Sequence, residues 1–166
     1  IPNPKTLSET TNTTSDLIVG TVQVHDDALG YNILELEGTD SNFFELDMVN
    51  QTINLKAGTV LDYENKQSYE FELILTDDTL PGEFIITTNF KLVVTNTNET
   101  PIINDNSAIA LECTENIEYI YKFDSDDPDT NDTLSMTLAG VLPAGVTFDS
   151  GRYELVGTPD LGTGGI

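Results

Sequence analysis

The segment Tyr69-Glu70-Phe71-Glu72-Leu73-Ile74-Leu75 constrains the fold more than any other stretch of the chain. Tyr69, Phe71, Leu73 and Leu75 occupy every second position, with Glu70 and Glu72 between them. That is the period of a β-strand with one face buried and the other wet. Phe90, Leu92 and Val94 repeat the pattern, and residues 17–24, 31–36 and 43–48 read as further strands. Asn50-Gln51 predicts a turn into a strand over 52–56, closing a hairpin. About seven short strands in such a length is the count of a β-sandwich. No sustained helical periodicity competes with this reading.

Val94-Thr95-Asn96-Thr97-Asn98-Glu99-Thr100-Pro101 is polar and ends on a proline, so it reads as a linker between residues 1–100 and 101–166. Beyond it, residues 117–123, 133–138, 146–148 and 153–156 predict a second, smaller set of strands. The chain closes on Leu161-Gly162-Thr163-Gly164-Gly165-Ile166, where a sandwich should add another strand, so the second sandwich is expected to be incomplete. A start at Ile1 rather than Met fits a processed or excised piece. The expected fold class is all-β, two β-sandwiches in tandem.

Charge narrows the function. The chain has 166 residues, 29 Asp+Glu against 6 Lys+Arg, and a net charge of −23. Phosphate neutralisation needs clustered Lys and Arg, so nucleic acid and anionic lipid are disfavoured as partners. Both parts are acidic, with 17 acidic and 4 basic residues in 1–100 and 12 and 2 in 101–166, so no acidic tail hangs on a neutral core. No apolar run is long enough to cross a membrane. Cys113 is the single cysteine, read as a small buried apolar residue or an intermolecular thiol. His25 is the single histidine, so any Ser-His-Asp or Cys-His catalysis must pass through it, and no local motif marks a nucleophile. An enzyme is not expected.

Acidic residues gather where connections should lie: Glu9 before the first long strand, Leu61-Asp62-Tyr63-Glu64 before the strongest one, Asn98-Glu99 in the linker, and Asp124-Ser125-Asp126-Asp127-Pro128-Asp129 after a strand of the second set. Ca²⁺ takes six to eight oxygen ligands, and Asp-x-Asp spacing in a loop lets alternate carboxylates converge on one ion. Glu35, Glu37, Glu70 and Glu72 instead read as solubility on strand faces. Asn-x-Ser/Thr sequons at Asn12, Asn50, Asn98 and Asn131 point to a secreted glycoprotein.

Five stretches in order resemble the cadherin repeat: Val22-Gln23-Val24-His25-Asp26-Asp27-Ala28-Leu29-Gly30, then Phe44-Glu45-Leu46-Asp47 with Ile53-Asn54-Leu55, Leu61-Asp62-Tyr63-Glu64, Tyr69 through Asp77, and Asn96-Thr97-Asn98-Glu99-Thr100-Pro101. The likeness covers about residues 5–101 at the spacing of one repeat. The second part is similar to a dystroglycan-type cadherin-like, or Ig-like, module. Asp124 through Leu134, Leu142-Pro143-Ala144-Gly145-Val146-Thr147-Phe148-Asp149 and Leu155-Val156-Gly157-Thr158-Pro159 carry that resemblance.

The resemblance implies Ca²⁺ held between successive repeats. By position it assigns Glu9, Asp62 and Glu64 to the first repeat, Asn98 and Glu99 to the linker, and Asp124 and Asp126 to the second module. Asp26, Asp27, Asp77 and Asp78 would serve a second site facing a preceding repeat. Asn98 carries two incompatible roles, glycan acceptor and linker ligand, of which the linker role is favoured. Asn96 stands where the family has Asp, and His25-Asp26-Asp27 breaks the Asp-x-Asp spacing, so fewer or weaker ions are expected.

The functional expectation is a non-enzymatic extracellular structural or adhesion module, a Ca²⁺-rigidified tandem repeat partnered by other protein chains. The rival is a subunit of an extracellular glycoprotein filament, completed by strand complementation between chains, with residues 1–14 as donor. A carbohydrate-binding module ranks lower, since Trp is absent.

Overall fold

The computed structural model describes residues 4–25, 31–77, 84–104 and 112–163. The chain divides into two compact units, Ile1–Thr97 and Asn98–Ile166. Among the described residues the structure is all-β, with strands, turns and one short 3₁₀ turn at Ser41–Phe43, and no helix is long and apolar enough to cross a membrane.

The first unit contains β1 (Lys5–Ser8), β2 (Leu17–Thr21), β3 (Asn32–Glu37), β4 (Phe44–Asp47), β5 (Thr52–Leu55), β6 (Ser68–Asp77) and β7 (Phe84–Thr95). They form two sheets, in the orders β1-β7-β6-β3 and β2-β5-β4. The alternation over residues 69–75 is realised in the register of β6 against β7. Tyr69 pairs with Leu92 and Phe71 with Phe90, so all four side chains turn to one face. Phe44 from the second sheet meets Phe71 at 4.5 Å and Phe90 at 6.2 Å between ring centroids. Val19, Ile53, Leu55, Leu61 and Val94 complete this core. The aromatic contacts and the burial of these apolar faces hold the two sheets together.

The expected hairpin forms between β4 and β5, and Gln51 takes the left-handed conformation, φ 56°, needed to close it. Asp47 accepts the N–H groups of Val49 and Asn50 and the Asn50 side-chain amide. The Asn50 N–H, then its amide, hold the Asp47 carboxyl below its usual range. A depressed folded-state pKa contributes stability above the ordinary aspartate value, and that contribution is lost as pH falls through the lowered one. Asp47→Ala should therefore lower the melting temperature slightly at pH 7 and flatten the acid limb of a melting-versus-pH curve below about pH 4.

Two strands differ from expectation. Residues 5–8 pair in parallel with β7, from Lys5 opposite Leu92 to Ser8 opposite Thr95. This short strand has one apolar residue, Leu7, so alternation could not announce it. The same pairing uses part of the segment expected to donate a strand to another chain. Strand β2 stops at Thr21 rather than 24, after a register shift between Ile18 and Gly20.

The second unit contains β8 (Ile102–Ile103), β9 (Tyr119–Lys122), β10 (Ser125–Asp126), β11 (Val146–Asp149) and β12 (Glu154–Gly157). Strands β8 and β10 pair, and a separate sheet has the order β11-β12-β9. Tyr121, Phe123 and Phe148 stack edge to face, with Val146, Leu155 and Pro159 buried. The strand expected over 133–138 is not formed. Leu134 and Met136 do alternate inward, but among the described residues no ladder meets this segment, and the Tyr153 hydroxyl fixes it by donating to the Leu134 carbonyl at 2.7 Å. Alternation supplies a buried face, whereas a strand also needs a neighbouring backbone.

The two glycine-bearing signatures of this unit meet each other. The Thr158 N–H donates to the Gly145 carbonyl and the Asp160 N–H to the Ala144 carbonyl. Gly145 and Gly157 have φ of +86° and +146° and lie against one another's backbone. Cys113 is exposed, which overturns the buried one of its two expected readings and does not touch the other, an intermolecular thiol.

Candidate metal centre

In the first unit, β1 runs directly into Glu9, whose N–H donates to the Thr95 carbonyl. The pairing of β1 with β7 therefore delivers the Glu9 side chain to the place where the chain leaves the unit. Its carboxylate is buried, at 9% exposure. One oxygen accepts the Tyr63 N–H at 2.8 Å and the other accepts the Thr97 N–H. A single carboxylate thus binds the end of β1, the 61–66 connection and the exit of β7. Leu61 and Tyr63 pack against the core while Asp62 and Glu64 remain exposed, so the same alternation that anchors this connection presents Glu64 outward.

The carboxylates of Glu9 and Glu64 each bring an oxygen within 4.8 Å of the other's. With metal–oxygen bonds near 2.4 Å, two ligands of one Ca²⁺ lie up to about 5 Å apart, so the separation fits a shared ion. The donors are hard oxygens only, the set preferred by Ca²⁺ or Mg²⁺ over softer metals. Each Glu9 oxygen keeps a lone pair beyond its backbone hydrogen bond. Beside them the Asn96 amide donates to Glu64 Oε1 at 3.0 Å. This donor eases the repulsion between the Glu9 and Glu64 carboxylates.

Asp62 is directed elsewhere. Its Oδ1 accepts the Asn65 N–H at 2.8 Å and its carbonyl accepts the Lys66 N–H, closing the turn. On the same side of the unit, Lys66 pairs with buried Asp40 at 2.9 Å and lies 5.0 Å from the Tyr69 ring centroid, and Asp40 also accepts the Glu70 N–H. Burial raises the Tyr69 hydroxyl pKa above its usual range; Lys66 opposes the shift, and the Asp40 and Asp62 carboxylates add to it.

In the second unit the acidic loop folds on itself. Asp126 accepts the Asp127 N–H, Asp127 accepts the Asp129 N–H, and Asp124 accepts from the Asn104 amide. Asp124 and Asp126 are exposed, while Asp129 is buried and accepts the Glu99 N–H at 2.7 Å. Asp129 thus ties the linker glutamate to the loop. Sequence reasoning passed it over by giving weight to Asp-x-Asp spacing; the available signal was its place after Asp127-Pro128, where a turn buries the next side chain. Asp40 was missed too, because nothing near it in sequence shows that Lys66 would reach it.

Of the second proposed set, Asp77 is buried at the end of β6, between Asn32 and Phe84 in the ladder. Asp26, Asp27 and Asp78 lie outside the described residues. All four sequon asparagines, Asn12, Asn50, Asn98 and Asn131, are exposed, as is His25. The amides of Asn50 and Asn98 donate to Asp47 and to the Glu99 carbonyl.

Solved structures with this architecture are cadherin extracellular repeats. Human protocadherin-24 EC1-2 matches with a TM-score of 0.58 at 12% identity, over 98% of this chain and 79% of that one. The fold is cadherin-like. Drosophila N-cadherin EC1-4 matches with a TM-score of 0.56 at 16% identity, over 93% of this chain and 38% of that one. Protocadherin gamma B2 extracellular cadherin domains 3-6 match with a TM-score of 0.59 at 19% identity, over 95% of this chain and 37% of that one. The chain therefore spans well under half the length of two of these structures. No family model matches the sequence. No curated protein matches it either.

Proposed function

We propose that the chain is a non-enzymatic extracellular structural or adhesion module that is stiffened by Ca²⁺ and works through contacts with other protein chains. The carrying observation is the approach of the Glu9 and Glu64 carboxylates where β7 leaves the first unit. A cadherin-like fold and the acidity of both parts support the same reading.

The linker gives the proposal its mechanism. Thr97 donates its N–H to Glu9, and Glu99 donates its N–H to Asp129. The proposed ligands are Glu9 and Glu64 from the first unit and Glu99 with Asn98 from the linker. Asp124 and Asp126 would belong to the second unit's set, and Asp129 would position Glu99 rather than ligate. A bound Ca²⁺ supplies positive charge and multi-ligand coordination. The protein's part is to hold Glu9 rigid through its backbone donors and to carry Glu64 beside it. The exposed sequons suit N-glycans on a secreted or cell-surface protein.

Calorimetric titration tests the assignment. The full chain should bind Ca²⁺ with a Kd of about 10⁻⁴–10⁻³ M, the range of extracellular modules. Glu64→Ala, at an exposed position, should weaken binding at least tenfold while the protein stays folded. Asn96→Asp should tighten Ca²⁺ binding and lower the melting temperature of the Ca²⁺-free protein, because a carboxylate replaces the amide that donates to Glu64. Identical isotherms for all three proteins would sink the assignment.

A further inference from the structure

Two of the chain's six basic side chains, Lys56 and Lys66, line one cleft of the first unit. Its volume is about 510 Å³, within the range of small-molecule sites. The Lys56 ammonium donates to the Asn42 carbonyl at 2.7 Å, and that of Lys66 is held by Asp40 over the Tyr69 ring. Each lysine is thus fixed by one polar partner and has N–H groups to spare, since an ammonium carries three. The side-chain amides of Asn42 and Asn65, and Asp62 Oδ2, complete the polar wall. None of these three has a hydrogen-bond partner among the described residues. Phe43 and Val60 add apolar surface, Val60 being 78% exposed. The turn behind Lys56 is tied down by the segment before β2. Gly58 donates its N–H to the Thr13 carbonyl, the Thr13 hydroxyl donates to the Thr59 carbonyl, and Ala57 donates its N–H to Asp16. A cleft preformed in this way loses little freedom when a ligand enters.

We propose that this cleft binds a neutral saccharide. Charge selects the ligand class. Asp62 in the wall and Asp40 beside Lys66 offset the two ammoniums, which leaves a neutral cleft on a chain of −23. An anion is repelled by the chain as a whole, and a cation entering the cleft meets two lysines. What suits the site is an uncharged molecule rich in groups that both donate and accept. Every sugar hydroxyl does both. Asp62 accepts, the ammoniums donate, and the two amides do either, so adjacent hydroxyls each find a complementary group. The C–H face of the ring would lie on Phe43 and Val60. With no Trp in the chain and Tyr69 buried, there is no broad stacking platform. Hydrogen bonds therefore carry recognition, and one sugar ring should bind with a Kd of about 1–10 mM. The proposal adds a ligand to the protein contacts proposed above and does not depend on the Glu9–Glu64 site.

The experiment is an NMR titration of the isotopically labelled full chain, in chelator, with glucose, galactose and mannose to about 50 mM. At least one of the three should shift the backbone amides of residues 57–66 and the side-chain amides of Asn42 and Asn65, and the shifts should saturate. Asn65→Ala removes an exposed amide and should weaken that binding at least about fivefold, the effect of one lost hydrogen-bonding group. Gln23→Ala removes an exposed amide outside the cleft and should leave it unchanged. Both variants should melt as the wild type does. The uronate of the best-bound sugar, a carboxylate on the same ring, should bind more weakly than its neutral parent. Four results would each overturn the proposal: no saturable shift from any of the three sugars, shifts confined to other residues, unchanged affinity in Asn65→Ala, or a uronate that binds as tightly as its parent or more so.

Discussion

Glu9→Ala is expected to destabilise the first unit by about 3 kcal/mol and to remove its response to Ca²⁺. The carboxylate is buried and is the acceptor for the backbone N–H groups of Tyr63 and Thr97. Truncation leaves both donors without it, at a cost of about 1–3 kcal/mol each. For a unit of this size that is a fall in melting temperature of about 12 °C or more. Glu9→Gln separates the two roles of the residue. It keeps the volume and one acceptor oxygen but turns an NH₂ group toward a backbone donor, so stability should fall by less than in Glu9→Ala. Ca²⁺ affinity should still drop sharply, because the anionic ligand is gone. Thermal melting with and without Ca²⁺ reads both effects. A Glu9→Ala protein that melts with the wild type would show that the carboxylate does not hold the three segments together.

Gly157→Ala is expected to unfold the second unit. A Cβ there would lie 2.0 Å from the Gly145 carbonyl oxygen, on a residue with φ of +146°. The atom it meets is backbone, so no rotamer change relieves the clash. Overpacking and the unfavourable dihedral together cost about 3 kcal/mol or more. Gly145→Ala should behave alike, its Cβ falling 2.1 Å from the Thr158 carbonyl oxygen. The unit has little reserve, since among the described residues its buried apolar side chains are Val146, Leu155 and Pro159. Gly162→Ala is the control: φ is +85° but nothing lies within 4 Å of the added Cβ, so the loss should be about 1 kcal/mol. Amide exchange at Val146 and Leu155 distinguishes the cases. Protection retained in Gly157→Ala would contradict the close approach of the two glycine-bearing segments.

Much of the first unit could be read from the sequence because its strands bury one face and wet the other. Tyr69 through Leu75 announce β6, and Phe90, Leu92 and Val94 announce the lower part of β7. Strand β1 could not be read that way, because Lys5-Thr6-Leu7-Ser8 becomes a strand only by adding to an edge that already exists. The opposite error at 133–138 has the same origin, since a period-two pattern does not say whether a neighbouring backbone is present. At the candidate site, Glu9 and Glu64 came from resemblance and from their places in connections. Neither source showed that Glu9 would be buried on two backbone donors. Asn96 reads in the sequence as a departure that weakens the site, but the sequence does not show that its amide donates to Glu64. Asp62 kept the family position while its side chain closes its own turn.

The most direct test is thermal melting of the full chain in about 10 mM Ca²⁺, in the same concentration of Mg²⁺, and in chelator at matched ionic strength. With a Kd of about 10⁻⁴–10⁻³ M, that Ca²⁺ concentration stabilises by about 1.4–2.7 kcal/mol per site. The first unit should then melt at least about 5 °C higher in Ca²⁺ than in chelator. Mg²⁺ should do much less, because it demands a near-ideal octahedral shell and gives up its waters reluctantly. Equal melting temperatures in Ca²⁺ and chelator, or equal shifts from Ca²⁺ and Mg²⁺, would contradict a Ca²⁺ site at Glu9 and Glu64.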